Sequence, residues 1–314
     1  MAPPYGGTLG PAGQGPRPLT VVAGRREAGA MRTTLPLVVA YDGSHDAKLA
    51  LRWVAEESLR TGAPVRVLAV NELLAPTWGG VGGSIVVTET YVRDCSELLR
   101  EAEKELADLG VTDVTTRERS GNVVDVMLHA ADHASALVVG SRGHSAAGEA
   151  LMGSVSQHLA RHAACPVVVV REPRDATSRR IVVGIDGSVT SMAALEFAVR
   201  RAEETGETVV AVHGWRDHLA SADVWSDEPR RVELEDRELL LAESLAGMRG
   251  EHPDVRIEHE AIPVTPEKCL VDASAHASLV VVGSRGQGYF RGLLLGSVSQ
   301  AVLHRAQCPV AVVR

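Results

Sequence analysis

The stretch from Gly140 to Ser156, G-S-R-G-H-S-A-A-G-E-A-L-M-G-S-V-S, returns from Gly283 to Ser299 as G-S-R-G-Q-G-Y-F-R-G-L-L-L-G-S-V-S. Both copies hold Gly-x-x-Gly, nine residues, then Gly-Ser. An apolar run precedes each (Leu137 to Val139, Leu279 to Val282), and a Cys-Pro-Val segment follows at Cys165 and Cys308. The repeat offset is 143 residues here and 144 between Asp42 and Asp186, so one residue of length difference lies in the interior. The chain is therefore two copies of one unit.

Working outward, each unit opens on a buried apolar run, L-P-L-V-V-A-Y from Leu35 or I-V-V-G-I from Ile181, then Asp-Gly-Ser and a helix closed by Gly62 or Gly206. The continuous apolar runs Val65 to Val70 and Thr208 to Val212 have the composition of parallel strands covered on both faces. Two long unlike loops follow, Asn71 to about Thr90 and His213 to about Pro229. The next helix carries Leu98, Leu99, Ala102, Leu106 and Leu109 in one unit and Val232, Leu239 and Leu240 in the other. A weak strand, a third helix, the glycine loop, a short helix from Ser154 or Ser297 and a closing strand complete each unit. Strands alternating with helices predict an α/β fold with an open parallel sheet covered on both faces. Periodicity does not order the strands; orders such as 2-1-3-4-5 place ligands beyond the carboxyl ends, where Asp42 and Gly140 both fall.

The expected domains are 33–171 and 178–314, joined by the polar linker Glu172 to Arg179, with 1–32 a Pro- and Gly-rich disordered extension and Met31 the natural start. A net charge of -8 argues against nucleic acid and against an anionic membrane as partner. Without an apolar stretch long enough to span a bilayer or a signal sequence, a cytoplasmic protein is expected. Four cysteines in 314 residues, none in C-x-x-C, read as small buried residues rather than a disulfide framework.

Gly140 and Gly143 turn the chain sharply off its strand and let backbone N–H groups approach an anion. Gly153 and Ser154 then open a helix whose N–H groups favour phosphate, with the Ser154 hydroxyl as a further donor. No lysine accompanies them, so this is not a Walker-type site. His129 with His133, and His158 with His162, have i, i+4 metal-ligand spacing but lack a third ligand, so no metal site is expected. Asp42 or Asp186 could serve as a base, yet no partner is specified by spacing, so no catalytic set is expected.

The strand–Asp-Gly-Ser start, the G-x-x-G-x9-G-S loop and the Cys-Pro-Val closing strand resemble the universal stress protein family in its tandem, ATP-binding form. The resemblance implies two doubly wound five-stranded parallel sheets of order 3-2-1-4-5, packed as a pseudo-dimer through the closing strands. It implies ATP, carried with Mg2+, between the first and fourth strands. By position, Asp42 and Asp186 would sit at the adenosine end, with Val70 and Val212 near adenine. Gly140, Arg142, Gly143, Gly153, Ser154 and Val155 would hold ribose and phosphates in the first unit; Gly283, Arg285, Gly286, Gly296, Ser297 and Val298 would do so in the second. Ala40 stands where the second unit has Gly184, so a methyl beside the nucleotide is expected to weaken the first site. The resemblance implies a nucleotide-dependent regulator of stress or dormancy with an unknown protein partner and a possible homodimer. A slow ATPase or phosphotransferase using the same sites is the alternative, and a flavin electron carrier a third.

Overall fold

The structure, a computed structural model, describes residues 35–72, 94–143, 152–216, 228–287 and 294–314. The N-terminal extension with Met31 and most of the two long unlike loops lie outside the described residues. In the first repeat the elements are β1 (Leu37–Ala40), α1 (His45–Thr61), β2 (Val65–Asn71), α2 (Cys95–Asp108), β3 (Val114–Ser120), α3 (Val123–Ala131), β4 (Ala136–Gly140), α4 (Ser154–His162) and β5 (Val167–Val170). The second runs β6 (Arg180–Gly184), α5 (Val189–Thr205), β7 (Thr208–Gly214), α6 (Glu228–Glu251), β8 (Ile257–Ile262), α7 (Pro266–Ala273), β9 (Leu279–Gly283), α8 (Ser297–Arg305) and β10 (Val310–Val313).

Each Asp-Gly-Ser builds the same corner. Gly43 and Gly187 take φ of 77° and 78°, which a side chain would resist. The aspartate then accepts from the serine N–H two residues on (Asp42 Oδ1 2.9 Å, Asp186 Oδ1 3.0 Å). The serine caps the helix in turn, Ser44 accepting from Ala47 N–H and Ser188 from Ser191 N–H. Gly62 and Gly206 end these helices in the left-handed conformation, as their positions predict.

The ten strands form one sheet in the order β3-β2-β1-β4-β5-β10-β9-β6-β7-β8, so each repeat is a parallel 3-2-1-4-5 sheet. The repeats join where β5 meets β10 antiparallel, with Val168 opposite Ala311. Two apolar layers run across this seam. One packs α1, α2, α5 and α6 on the sheet through residues such as Leu51, Leu106, Leu195 and Leu241; the other packs α3, α4, α7 and α8 through Met127, Leu159, Leu270 and Leu303. The arginine closing each repeat reaches across to the other. Arg171 donates to Ala306 O (2.8 Å) and Leu303 O (2.5 Å) at the end of α8, and Arg314 donates to Ala160 O (3.0 Å) in α4. Both complete carbonyls that a helix end leaves without an N–H. Residues 34–314 thereby form one compact unit.

Two helix readings need correction. In α6, Val232 and Leu239 are exposed, and Leu241 and Leu245 are the buried pair. Three successive leucines (Leu239 to Leu241) leave the helical phase open in sequence, and contact with the sheet selects the i, i+4 pair. Leu109, expected on the α2 stripe, caps that helix and is exposed.

All four cysteines are free and buried. Burial pushes the Cys308 thiol up to about 12 and those of Cys165 and Cys269 up to about 11. The folded state thus holds these protons more tightly than the unfolded chain. The stability involved is complete below about pH 9 and is lost as pH rises towards about 12, where Cys308 ionises. At pH 8 a thiol reagent is expected to modify Cys308 only as fast as the chain unfolds; rapid labelling of native protein would contradict this.

Candidate functional site

In the second repeat the candidate site is the crevice beyond the carboxyl ends of β6 and β9. Asp186, at the end of β6, uses both oxygens: Oδ1 accepts from Ser188 N–H, and Oδ2 accepts from Gln287 N–H at 3.0 Å, tying the first corner to the glycine loop. Burial alone would raise the Asp186 carboxyl. The bonds from Ser188 and Gln287 outweigh it and hold the group below its ordinary value. Asp186 is therefore a committed carboxylate at neutral pH.

The glycine loop is clamped at its two ends. Gly296 N–H donates to Ser284 O at 2.8 Å, and Ser299 Oγ donates to Gly283 O at 2.6 Å. The first repeat repeats the first clamp, Gly153 N–H to Ser141 O at 2.8 Å, and varies the second, Ser156 Oγ donating to Ser141 O at 3.1 Å. Gly153 and Gly296 are the N-caps of α4 and α8, and neither helix start has a side-chain cap. These N-termini present backbone N–H groups and the positive end of the helix dipole to the crevice. Ser154 and Ser297 are one residue further in than a capping serine, and the Ser297 hydroxyl instead donates to Glu267 at 3.4 Å.

The glycines have different reasons for lacking a side chain. A Cβ on Gly283 would lie 2.7 Å from the carbonyl carbon of Thr190, and one on Gly140 would lie 2.7 Å from that of Asp46. Those two let the first helix start against the fourth strand. At Gly184 the same atom would meet Leu270 Cδ1 at 2.9 Å, so its counterpart Ala40 reflects packing, with Met127 standing where the second repeat has Leu270. At Gly296 the nearest atoms among the described residues would be 3.6 Å away, and φ -71°, ψ 156° suits any residue.

A cavity of about 460 Å³ brings together Gly184, Asp186, Val212, Gly283, Arg285, Gly286, Gly296, Ser297 and Val298, all nine residues expected in this repeat. Ile185, Leu270 and Val282 add apolar wall. Among the described residues no carboxylate pairs with Arg285.

The first repeat also differs at the start of its first helix. Asp46, in the first turn of α1 and 5% exposed, accepts from Ser141 Oγ (2.6 Å), Arg142 N–H (3.1 Å) and Arg142 Nε (3.3 Å). The corresponding residue, Thr190, instead donates its hydroxyl to Arg285 O. An internal carboxylate thus already occupies the loop amide and the arginine that an anion would use. Gly140, Arg142 and Gly143 do converge with Asp42: a Cβ on Gly143 would fall 2.8 Å from Asp42 Oδ2, and one on Gly153 would fall 3.7 Å from Arg142 Cα. Ser154 and Val155 open α4 beside them.

The expected pairing of Val70 with Val212 is out of register. β2 and β7 align through Val65 and Val209, each beside the first strand, so Val212 corresponds to Leu68 and Val70 to Gly214. Valine-rich runs do not mark their own register, and only the ladder to β1 and β6 fixes it.

A model of the family described as "Universal stress protein family" matches residues 34–171 and again 177–314. The chain belongs to the universal stress protein family. It is 36% identical over 290 residues to a universal stress protein of Mycolicibacterium smegmatis, covering 90% of this chain and 98% of that one. Universal stress protein Rv1996 of Mycobacterium tuberculosis is 34% identical over 307 residues, covering 91% of this chain and 96% of the relative. The crystal structure of a universal stress protein from Archaeoglobus fulgidus shares the fold, with a TM-score of 0.62 at 24% identity over 90% of this chain and 97% of that one.

For this universal stress protein the sequence also left unmarked Asp46, Ser141 with Ser156, Ser284 with Ser299, and Leu270. The G-S-R-G and G-S-V-S serines recur in both copies and could have been found from that signal alone. Asp46 could have been found as a charge in one copy where the other has threonine. Among the described residues, no group of three or more His, Cys, Asp or Glu is placed to hold a metal ion, and no helix is long and apolar enough to cross a membrane.

Proposed function

We propose that the crevice of the second repeat binds ATP, with Mg2+ on its phosphates, and that a protein partner reads this state as part of a stress or dormancy response in the cytoplasm. The observation that carries the reading is Gly296. It lines the cavity, yet neither its backbone angles nor packing among the described residues demands glycine there. The absent side chain leaves room for something that is not protein.

The residues fit an adenine nucleotide. Gly286, Ser297 and Val298 offer backbone donors for phosphate, Arg285 offers a charge that no carboxylate pairs among the described residues, and Ile185, Val212, Leu270 and Val282 offer apolar wall for a base. At about 0.3 kcal/mol for each of about thirty heavy atoms, such a ligand gains about 9 kcal/mol, near or slightly better than micromolar. The role is binding rather than turnover: Asp186, the crevice carboxylate, is engaged by two donors and its carboxyl is held below the ordinary range, which makes it a poor general base. A homodimer, where it forms, uses a surface other than the closing strands, because β5 and β10 already pair within the chain.

The first repeat binds far more weakly, because Asp46 neutralises Arg142 and repels phosphate. Freshly purified protein, denatured and analysed for released nucleotide, is expected to yield one ATP per chain. Asp46→Thr, which installs the residue of the second repeat, is expected to raise uptake towards two. Protein that carries no nucleotide and takes none up on adding ATP would defeat the proposal, and two per chain in the native sequence would defeat the assignment to one repeat.

A further inference from the structure

We propose that the first repeat carries a second anion site, distinct from the nucleotide crevice, which takes a small molecule bearing two or more phosphate groups. It is a groove of about 460 Å³ between α3 and the outer strands β2 and β3, lined by Arg66, Arg117, Arg119, Asp125, His129 and His133 with apolar residues beneath. The volume falls within the range of about 300–1,000 Å³ found for small-ligand sites.

The strand register explains why the arginines converge. Thr115 lies opposite Arg66 and Arg117 opposite Leu68, while Arg119 faces Val70, so all three arginines point to the same face of the sheet. Arg117 and Arg119 are about 7 Å apart along the strand, and Arg66 extends the row to about 13 Å, by the rise of an extended chain. From the other side, α3 presents Asp125 and His129 on successive helical turns, and the turn that follows the helix adds His133. Three guanidinium groups therefore face one carboxylate, in a chain whose formal net charge is -8.

Among the described residues no carboxylate pairs with any of the three arginines; Arg119 donates only to the carbonyl of Glu118. Arg66 has its Nε buried without a hydrogen-bond partner. Leaving such a donor unmet is costly, and an anion in the groove would offset the uncompensated charge of the row to which Arg66 belongs.

The second repeat supplies the control. At the corresponding positions it has Val210, Glu260, Ile262, Lys268, Asp272 and His276. There Arg180 lies 3.7 Å from both Glu258 and Glu260, and Lys268 pairs with Asp272 at 2.5 Å. The same fold thus closes this place with paired charges in one copy and, in the other, holds a row of cations that no carboxylate pairs among the described residues. Edge-strand charge as protection from aggregation needs no particular sign and does not account for His129 and His133 or the buried Arg66 Nε.

The test is calorimetric titration of the full chain with inorganic tripolyphosphate, run in parallel on the Gly296→Glu chain so that phosphate taken by the crevice is told apart. One tripolyphosphate is expected to bind each Gly296→Glu chain, about tenfold or more weaker after Arg117→Ala with Arg119→Ala and weaker also in high salt. Orthophosphate is expected to bind much less tightly. No binding to the Gly296→Glu chain, unchanged affinity in the double variant, or equal affinity for orthophosphate would overturn the proposal. Should the double variant misfold, imidazole resonances decide: tripolyphosphate must shift those of His129 and His133 and leave His276 unmoved, and any other pattern counts against the site.

Discussion

Gly296→Glu is expected to abolish nucleotide binding in the second repeat while the protein stays folded. The backbone at this N-cap, φ -71° and ψ 156°, is open to any residue, and among the described residues a Cβ would meet nothing closer than Arg285 Cα and Ser284 O at 3.6 Å. The glutamate side chain therefore extends into the cavity that Gly296 lines and puts a carboxylate where phosphate would meet the N-terminus of α8. Lost volume and like-charge repulsion together should weaken affinity by about a thousandfold or more, about 4 kcal/mol. Stability should change by about 1 kcal/mol or less, the range for a glycine replaced at an N-cap. Gly296→Ala separates the two roles further, since it should fold like the parent and bind measurably less. Calorimetry with ATP and a urea unfolding curve check both statements. Undiminished binding would remove phosphate from this loop, and a large loss of stability would make Gly296 a packing residue after all.

Val168→Asp is expected to have the largest effect on stability. Val168 and Ala311 face each other in the antiparallel seam between β5 and β10, and both are fully buried. A carboxylate there has no cationic partner in the apolar layer around it, so it must either enter protonated or stay charged and unpaired. Loss of about 4 kcal/mol or more follows, against a typical total of about 5–15 kcal/mol. Both apolar layers cross the seam, so the two repeats of the parent should unfold in one transition. Denaturant curves followed by fluorescence and by circular dichroism should coincide for the parent and move together to much lower denaturant in the variant. Two separated transitions in the parent, or an unaltered midpoint in Val168→Asp, would show that the repeats fold independently.

Much of the fold was legible because local chemistry and tertiary demand coincide. Asp42-Gly43-Ser44 and Asp186-Gly187-Ser188 encode a turn and a helix cap within three residues, and the structure forms both. Gly62 and Gly206 mark helix ends because a left-handed residue there has no steric cost. The expected residues of the second repeat all line one cavity, since short turns after parallel strands leave them at one edge of the sheet. Legibility failed where only contact across the fold carries the information. The phase of α6 was ambiguous among Leu239, Leu240 and Leu241, and the offset between Val70 and Val212 was hidden in an even run of valines and alanines. Ala40 in place of Gly184 pointed to the ligand alone, whereas Gly184 lines the cavity and also packs against Leu270, a contact the sequence does not show.

The glycine stretch shows where the division lies. By itself the sequence determined that it is repeated, that it turns the chain off a strand, and that it opens a helix with uncapped N–H groups, because glycine content and spacing are local properties. Only the tertiary structure decided which glycine a helix requires, since a Cβ on Gly283 would fall 2.7 Å from the Thr190 carbonyl carbon, whereas one on Gly296 would make only ordinary contacts, from 3.6 Å, with the described residues. It alone also decided that the two copies are unequal. Asp46 lies 95 residues before Ser141, and no local pattern reveals that its carboxylate fills the loop which Thr190 leaves available in the other repeat.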